Sequence, residues 1–237
     1  MVEPVWTEID SYFETKLLGA DPALAACLRA SADANLPDIQ VSPVQGRLLH
    51  LIAKLHGARR ILEVGTLGGY SAICLARALP PDGKLITLEI DPKHADVARS
   101  NLDHAGLSDK VEIRLGPALD SLPKIASEGA GPFDMFFLDA DRPNNRAYLD
   151  WVLRLSAPGA VLVIDNVVRH GSVVDASSED SSVRGLREMI DALASERRVT
   201  ATAIQTVGRK GYDGFLLAQI DAPSREKAPS AAPRRRT

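Results

Sequence analysis

Cysteine is scarce: Cys27 and Cys74 are the only two in a chain of 237 residues. They lie far apart and form no CxxC pair, which excludes a disulfide framework and a cysteine-held structural zinc and fits a reducing cytoplasm. Long apolar runs are missing too, since none approaches the roughly 20 residues needed to span a bilayer. The opening Met-Val-Glu-Pro-Val-Trp-Thr-Glu has no basic stretch leading into an apolar segment, so neither secretion nor membrane insertion is expected. Nor is there a surplus of positive charge. The net charge is −3, and the tail from Ala222 to Thr237 sets Arg225, Lys227, Arg234, Arg235 and Arg236 against Glu226. The body before the tail is therefore more acidic than the whole, which argues against a broad phosphate-binding face and a nucleic-acid partner.

What is present is the balance of an ordinary globular protein, 45% hydrophobic and 25% charged. A chain of this length buries roughly 70–75% of its unfolded surface, enough for one large core. We expect a single domain over residues 1–221, with a helical N-terminal part at 1–58, an alternating core at 59–221 and a disordered basic tail at 222–237. Trp6, Ile9, Phe13 and Leu17 recur at helical spacing before Gly19. Asp21-Pro22 and Ser42-Pro43 each pair a polar cap with a proline at the first helical position.

From Arg60 the pattern becomes short apolar runs separated by helical stretches, as in an α/β fold with a parallel sheet. Strands are expected at Ile61–Gly65, Lys84–Ile90, Val111–Gly116, Met135–Ala140 and Ala160–Asn166. Helices fit at Tyr70–Leu79, Pro92–Ala105, Ala118–Ile125, Asn145–Leu155 and, after the polar loop Gly171–Ser182, at Val183–Ser195. Val199–Val207 and Gly214–Ile220 close the chain as an antiparallel pair around Gly208-Arg-Lys-Gly-Tyr-Asp213.

Two features carry chemistry. The run Ile61-Leu-Glu-Val-Gly65-Thr-Leu-Gly68-Gly69-Tyr70-Ser71 is a strand entering a helix through glycines, whose missing Cβ atoms let a ligand approach backbone at a helix N-terminus. Leu67 breaks the dinucleotide spacing G-x-G-x-x-G, and the segment by itself is also compatible with a plain structural turn. Glu89, at the end of the next strand, is where a carboxylate accepts the hydrogens of a ribose diol. The two together indicate an adenosine-containing cofactor without saying which.

The second feature lies at two later strand ends, Phe136-Phe-Leu-Asp139-Ala-Asp141-Arg142 and Val163-Ile-Asp165-Asn166. Neighbouring strands lie about 4.8 Å apart, which would let Asp139, Asp165 and Asn166 converge. Three oxygen donors suit a hard cation, Mg²⁺, Mn²⁺ or Ca²⁺. The plainer alternative is that each side chain caps its own turn.

In order, Glu63-Val-Gly65-Thr-Leu-Gly-Gly69-Tyr70-Ser71, Leu88-Glu89-Ile-Asp-Pro, Leu115-Gly116, Phe137-Leu-Asp139-Ala-Asp141, Ile164-Asp165-Asn166-Val and Gly211-Tyr-Asp-Gly-Phe resemble the small metal-dependent class I O-methyltransferases, the catechol and caffeoyl-CoA enzymes and their bacterial relatives. The resemblance runs from about Val41 to Ile220. It implies a Rossmann-like sheet of order 3-2-1-4-5-7-6 with an antiparallel last strand, helices on both faces and an N-terminal helical extension. It implies S-adenosylmethionine held by Gly65, Tyr70 and Ser71 at the methionine end, Glu89 at the ribose, Gly116, Pro117 and Ala118 near the adenine, and the backbone of Val41. Glu63, Thr66, Gly69, Ile90 and Asp139 complete that set. It further implies Asp139, Asp165 and Asn166 as ligands of one Mg²⁺, a small phenolic substrate and a homodimer; Asp139, Asp165 and, at the position of a family lysine, Arg142 are taken as the catalytic residues.

Methyl transfer is an in-line displacement, so the acceptor oxygen must be ionised and aligned about 3 Å from the sulfonium methyl, and such positioning supplies roughly 7–11 kcal/mol. A metal chelating two adjacent phenolic oxygens does both, which favours vicinal diols. The chain departs from the resemblance at Arg142, where many of these enzymes carry a lysine taken as general base. A guanidinium stays protonated and cannot accept the proton. Metal-bound hydroxide, Asp141 and His170 are the candidates that remain. His50, His56, His94 and His104 lack ligand spacing and read as packed or solvated, and Trp151 as core or interface. Two other readings stay open: methylation of a hydroxylated tRNA base, and cofactor binding without turnover. The N-terminal helices and Gly171–Ser182 would shape the acceptor pocket.

Overall fold

The computed structural model describes residues 4–222, and the basic tail beyond Ala222 lies outside them. Helix α1 (Pro4–Phe13) runs into a π-helical turn, Glu14–Leu18, closed by Gly19. Helices α2 (Pro22–Asp33) and α3 (Pro43–His56) start as their caps require: the Asp21 carboxylate accepts the Leu24 N–H and the Ser42 hydroxyl accepts the Gln45 N–H. Proline at the first position loses nothing, because its missing N–H would have had no partner there.

The alternating part follows as β1 (Arg60–Val64), α4 (Tyr70–Ala76), β2 (Lys84–Glu89), α5 (Pro92–His104), β3 (Val111–Leu115), α6 (Ala118–Ser127), β4 (Phe133–Leu138), α7 (Asn145–Leu155), β5 (Ser156–Asp165), α8 (Ser181–Ser195), β6 (Val199–Gly208) and β7 (Gly211–Ile220). The seven strands form one sheet in the order β3-β2-β1-β4-β5-β7-β6. β1 to β5 are parallel, and β7 inserts antiparallel between β5 and β6. This is the order the resemblance implied.

Both faces of the sheet are covered, which explains the nearly continuous apolar strands. Leu62, Val64, Phe136, Leu138, Leu162 and Ile164 point to one core, shared with Leu149 of α7 and Leu186 of α8. Ile61, Leu85, Met135, Phe137 and Val163 point to the other, shared with Leu49 of α3 and the whole of α4. Several boundaries differ from the sequence reading. β4 begins at Phe133 and β5 at Ser156, because those two residues pair across a register irregularity that Pro158 and Gly159 disguise. The closing hairpin stays paired to Gly208 and Gly211, so its turn is tighter than its composition suggests. Part of the expected polar loop is a short 3₁₀ segment, Arg169–Val174.

The N-terminal helix is fastened to that hairpin. Buried Asp10 accepts the Arg209 backbone N–H at 2.8 Å, and the Arg209 guanidinium pairs with Glu14 at 2.8 Å.

Candidate active site

Strand order reverses at β1, which has β2 on one side and β4 on the other. In open α/β sheets a crevice forms outside the strand ends at such a point. The glycine turn lies there. Gly65 has φ +100, and its N–H donates to the Leu88 carbonyl at 3.0 Å. Leu67 and Gly69 are also left-handed, and Gly69 caps α4, which Tyr70 and Ser71 open. Behind the turn, the Asn101 amide and the Cys27 thiol both donate to the Gly68 carbonyl, at 2.9 and 3.3 Å. The sequence marks Cys27 only as one of two cysteines and Asn101 not at all, because each is distant in the chain and belongs to no motif.

Glu63 is fully buried beside the turn. It is the register partner of Thr87, whose hydroxyl donates to Oε2 at 2.7 Å, and Thr66 extends the chain with a 2.6 Å contact to the same hydroxyl. Oε1 has no partner. Burial pushes this carboxyl up to about 7, against the hydroxyls of Ser71 and Thr87 that favour its charged form.

Glu89 differs in detail from what the sequence suggests. Its Oε2 accepts the N–H groups of Thr66 and Leu67 at 3.2 and 2.7 Å, and its Oε1 accepts that of Asp91 at 2.9 Å. It therefore braces the glycine turn, and one acceptor position on Oε1 remains. Around it Ile90 is 67% exposed at the end of β2 and Leu115 49% exposed at the end of β3. Gly116, with φ +130, Pro117 and Ala118 follow Leu115 and lead into α6, and Val41 is buried ahead of the α3 cap.

The second half of the site is built by β4 and β5, parallel neighbours through Leu138 and Ile164. Asp139 follows β4 directly, with its N–H on the Val64 carbonyl at 2.9 Å. Asp165 ends β5, and Asn166 follows in a left-handed conformation. Arg142 joins the two strand ends: its Nη2 donates to Asp139 Oδ1 at 3.1 Å and to Asn166 Oδ1. Burial and the charge of Asp139 push Asp165 up to about 7, with the Asn166 N–H and the Gln45 amide pulling the other way. Burial also raises Asp139, which the Arg142 charge opposes.

Among the described residues no three His, Cys, Asp or Glu side chains group as a metal site. The third oxygen available here is the Asn166 amide. Asp165, buried, and Asp139, partly buried, are both raised first by loss of solvation against the opposing Arg142 charge, and with the neutral Asn166 oxygen they form a donor set suited to a hard divalent cation. The residues fit such an ion.

The two side-chain candidates for a base are placed otherwise. Asp141 is exposed and holds the Tyr148 hydroxyl and the Asn144 amide. His170 is exposed and left-handed in the segment after β5. A residue that the sequence reading quoted without a role matters more. Asp213 Oδ1 accepts the N–H groups of Val168, Arg169 and Gly214 at 3.0, 3.0 and 2.9 Å, which fixes the bend beyond Asn166. The Gly-Tyr-Asp-Gly-Phe motif contained that signal, whereas Gln45 carried none.

Two cavities lie elsewhere. One of about 500 Å³ opens at the N-terminal ends of the strands, around Arg60, Lys84 and Lys110. Another of about 320 Å³ sits beneath the N-terminal helices and shares Tyr70 with the site. Among the described residues no helix is long and apolar enough to cross a membrane.

The chain matches the O-methyltransferase family profile over residues 16–219. It is 50% identical over 218 residues to a catechol O-methyltransferase of Mycobacterium tuberculosis, covering 92% of this chain and 97% of that protein. Among solved structures it is similar to an O-methyltransferase from Bacillus cereus in complex with SAH, with a TM-score of 0.91, 52% identity and coverage of 92% and 99%. The O-methyltransferase TomG from Streptomyces achromogenes, involved in tomaymycin synthesis and solved with SAM, gives 0.90, 50% identity and coverage of 94% and 100%.

Proposed function

This chain belongs to the O-methyltransferase family and is an S-adenosylmethionine-dependent enzyme; we propose that its acceptor is a hydroxyl of a small vicinal dihydroxy phenol and that a divalent cation, Mg²⁺ first, assists the transfer. The observation that carries this reading is the meeting of Asp139, Asp165 and Asn166 at adjacent strand ends beside the glycine turn.

In this reading the cofactor lies over Gly65 and Gly69, with its charged methionine end near Tyr70 and Ser71. The unpartnered Oε1 of Glu63 is the acceptor available to its ammonium group. Glu89 keeps one acceptor position for the ribose, and the exposed Ile90 and Leu115 offer apolar surface to the adenine beside Gly116, Pro117 and Ala118. Thr66 supports the turn from behind through its hydroxyl contact with Thr87, and the backbone of Val41 is the part of that residue open to the cofactor in this reading.

Asp139, Asp165 and Asn166 would hold the cation, which when bound acts as a Lewis acid on the two substrate oxygens. Asp139, at the tip of β4 against the glycine turn, orients the acceptor toward the cofactor. Asp165 sets the opposite side, steadied by its bond to the Asn166 N–H at 2.8 Å. As a guanidinium, Arg142 stabilises negative charge on the acceptor oxygen rather than taking its proton. Asp213 keeps Asn166 in place from outside the site.

Two further attributes belong to this reading. A cytoplasmic setting is supported by the two buried free thiols, Cys27 and Cys74. A homodimer is supported by Ile9, Tyr12, Phe13 and Leu17, which stand exposed along the first helical segment.

The test is transfer from labelled S-adenosylmethionine to a panel of catechols and mono-phenols, with Mg²⁺ and with EDTA, for wild type and Asp165→Ala. Metal-dependent methylation confined to vicinal diols and lost in the variant is expected. Equal transfer in EDTA, or to mono-phenols, would overturn the chelate.

A further inference from the structure

The Arg142 guanidinium stands where the proposed cation needs its ligands. One nitrogen, Nη2, donates both to Asp139 Oδ1 at 3.1 Å and to Asn166 Oδ1. The residue is 9% exposed, and its Nε is buried without a partner. Its backbone has no room to retreat: Gly185 of α8 packs on the Arg142 carbonyl so closely that a Cβ there would collide with it. Any movement must come from the side chain.

The electrostatics give this contact a purpose. Two carboxylates sharing a site, Asp165 buried and Asp139 partly so, cannot both ionise cheaply without positive charge beside them. Arg142 supplies one such charge permanently, since guanidinium does not titrate in proteins. A bond from guanidinium to an ionised oxygen is also roughly twice as strong as a neutral one. A divalent ion binding the same Asp139 and Asn166 oxygens must break those bonds first.

We propose that Arg142 is a built-in counter-ion that competes with the divalent cation for Asp139 and Asn166, so that metal loading requires its guanidinium to swing away and metal affinity is set by that exchange. The proposal rests on the metal-assisted reading above and adds a residue that regulates it. A side chain that blocks the site for most of the time lowers the apparent affinity by the fraction of time it is open. The unpartnered Nε marks the closed arrangement as one that leaves a buried donor unsatisfied, which keeps it reversible.

Mn²⁺ binding to the cofactor-loaded enzyme, followed by electron paramagnetic resonance of the free ion, reads this directly and needs no turnover. Arg142→Met removes the charge and both donated bonds at similar length and should bind Mn²⁺ about tenfold more tightly or better. Calorimetric binding of S-adenosylhomocysteine verifies that the variant is folded. A second readout uses the wild type alone: the Arg142 Nε–H NMR signal, protected from exchange by burial, should lose that protection on saturation with diamagnetic Mg²⁺.

Wild-type Mn²⁺ binding that is not tightened in Arg142→Met would overturn the competition and leave the metal site standing. An Nε–H signal still protected at saturating Mg²⁺ would do the same. No Mn²⁺ binding by either protein would overturn both the competition and the metal-assisted reading.

Discussion

The carbonyl oxygen of Asp139 occupies the space in which a Cβ on Gly65 would stand. The two halves of the site, the glycine turn after β1 and the carboxylate after β4, are thus in direct backbone contact. Gly65 also has φ +100, a conformation that costs an L side chain energy on its own account. Gly65→Ala is therefore expected to force the turn and the end of β4 apart, with a stability loss of at least about 1–3 kcal/mol from backbone strain. Cofactor binding should fall by more than tenfold in calorimetry, and an unchanged affinity would show that the contact is not needed.

Glu63 makes stability depend on pH with a definite sign. Its carboxyl is raised from 4.5 to about 7 by burial, so the folded chain keeps a proton that the unfolded chain releases in that interval. This contribution is full below about 4.5, is lost as pH rises toward 7 and is constant above. Glu63→Gln removes it. In urea unfolding without cofactor, the variant should gain on wild type between pH 4.5 and 7 by up to about 3 kcal/mol, while its cofactor affinity drops. A difference that does not vary with pH would contradict the burial argument.

Asp213 is expected to act at a distance from the chemistry. Asp213→Ala leaves three backbone donors without their acceptor, at about 1–3 kcal/mol for each group kept from water. Hydrogen exchange should quicken over residues 166–174, and kcat should fall while S-adenosylhomocysteine binds as before. Loss of cofactor binding instead would place the residue's influence on the glycine turn.

The N-terminal helix offers a separable test. Asp10 is the buried acceptor for Arg209, and Gly208 is close enough that a Cβ would stand 2.6 Å from its Oδ2. Asp10→Ala should release residues 4–18 from the hairpin, seen as faster hydrogen exchange there with the sheet unaffected. Unchanged protection would mean that the Arg209–Glu14 pair suffices.

The sequence by itself determined the α/β class, the caps of α2 and α3 and the places of Gly65, Glu89, Asp139 and Asp165 at strand ends. These depend on local periodicity and on residues whose backbone or charge has few uses, so they are visible in short windows. The strand order came from resemblance rather than from the residues, because parallel pairing is non-local. Tertiary structure decided the rest. Folding spends the Glu89 carboxylate largely on the N–H groups of the glycine turn after β1, and it satisfies Asp141 with Tyr148 and Asn144. It turns Arg142 inward between Asp139 and Asn166, and brings Asp213 from 45 residues along the chain to hold Val168. The contacts of Glu89 with Thr66 and Leu67, of Arg142 with Asn166 and of Asp213 with Val168 depend on where a side chain finds a partner once distant strands are side by side, and no spacing in the sequence records that distance.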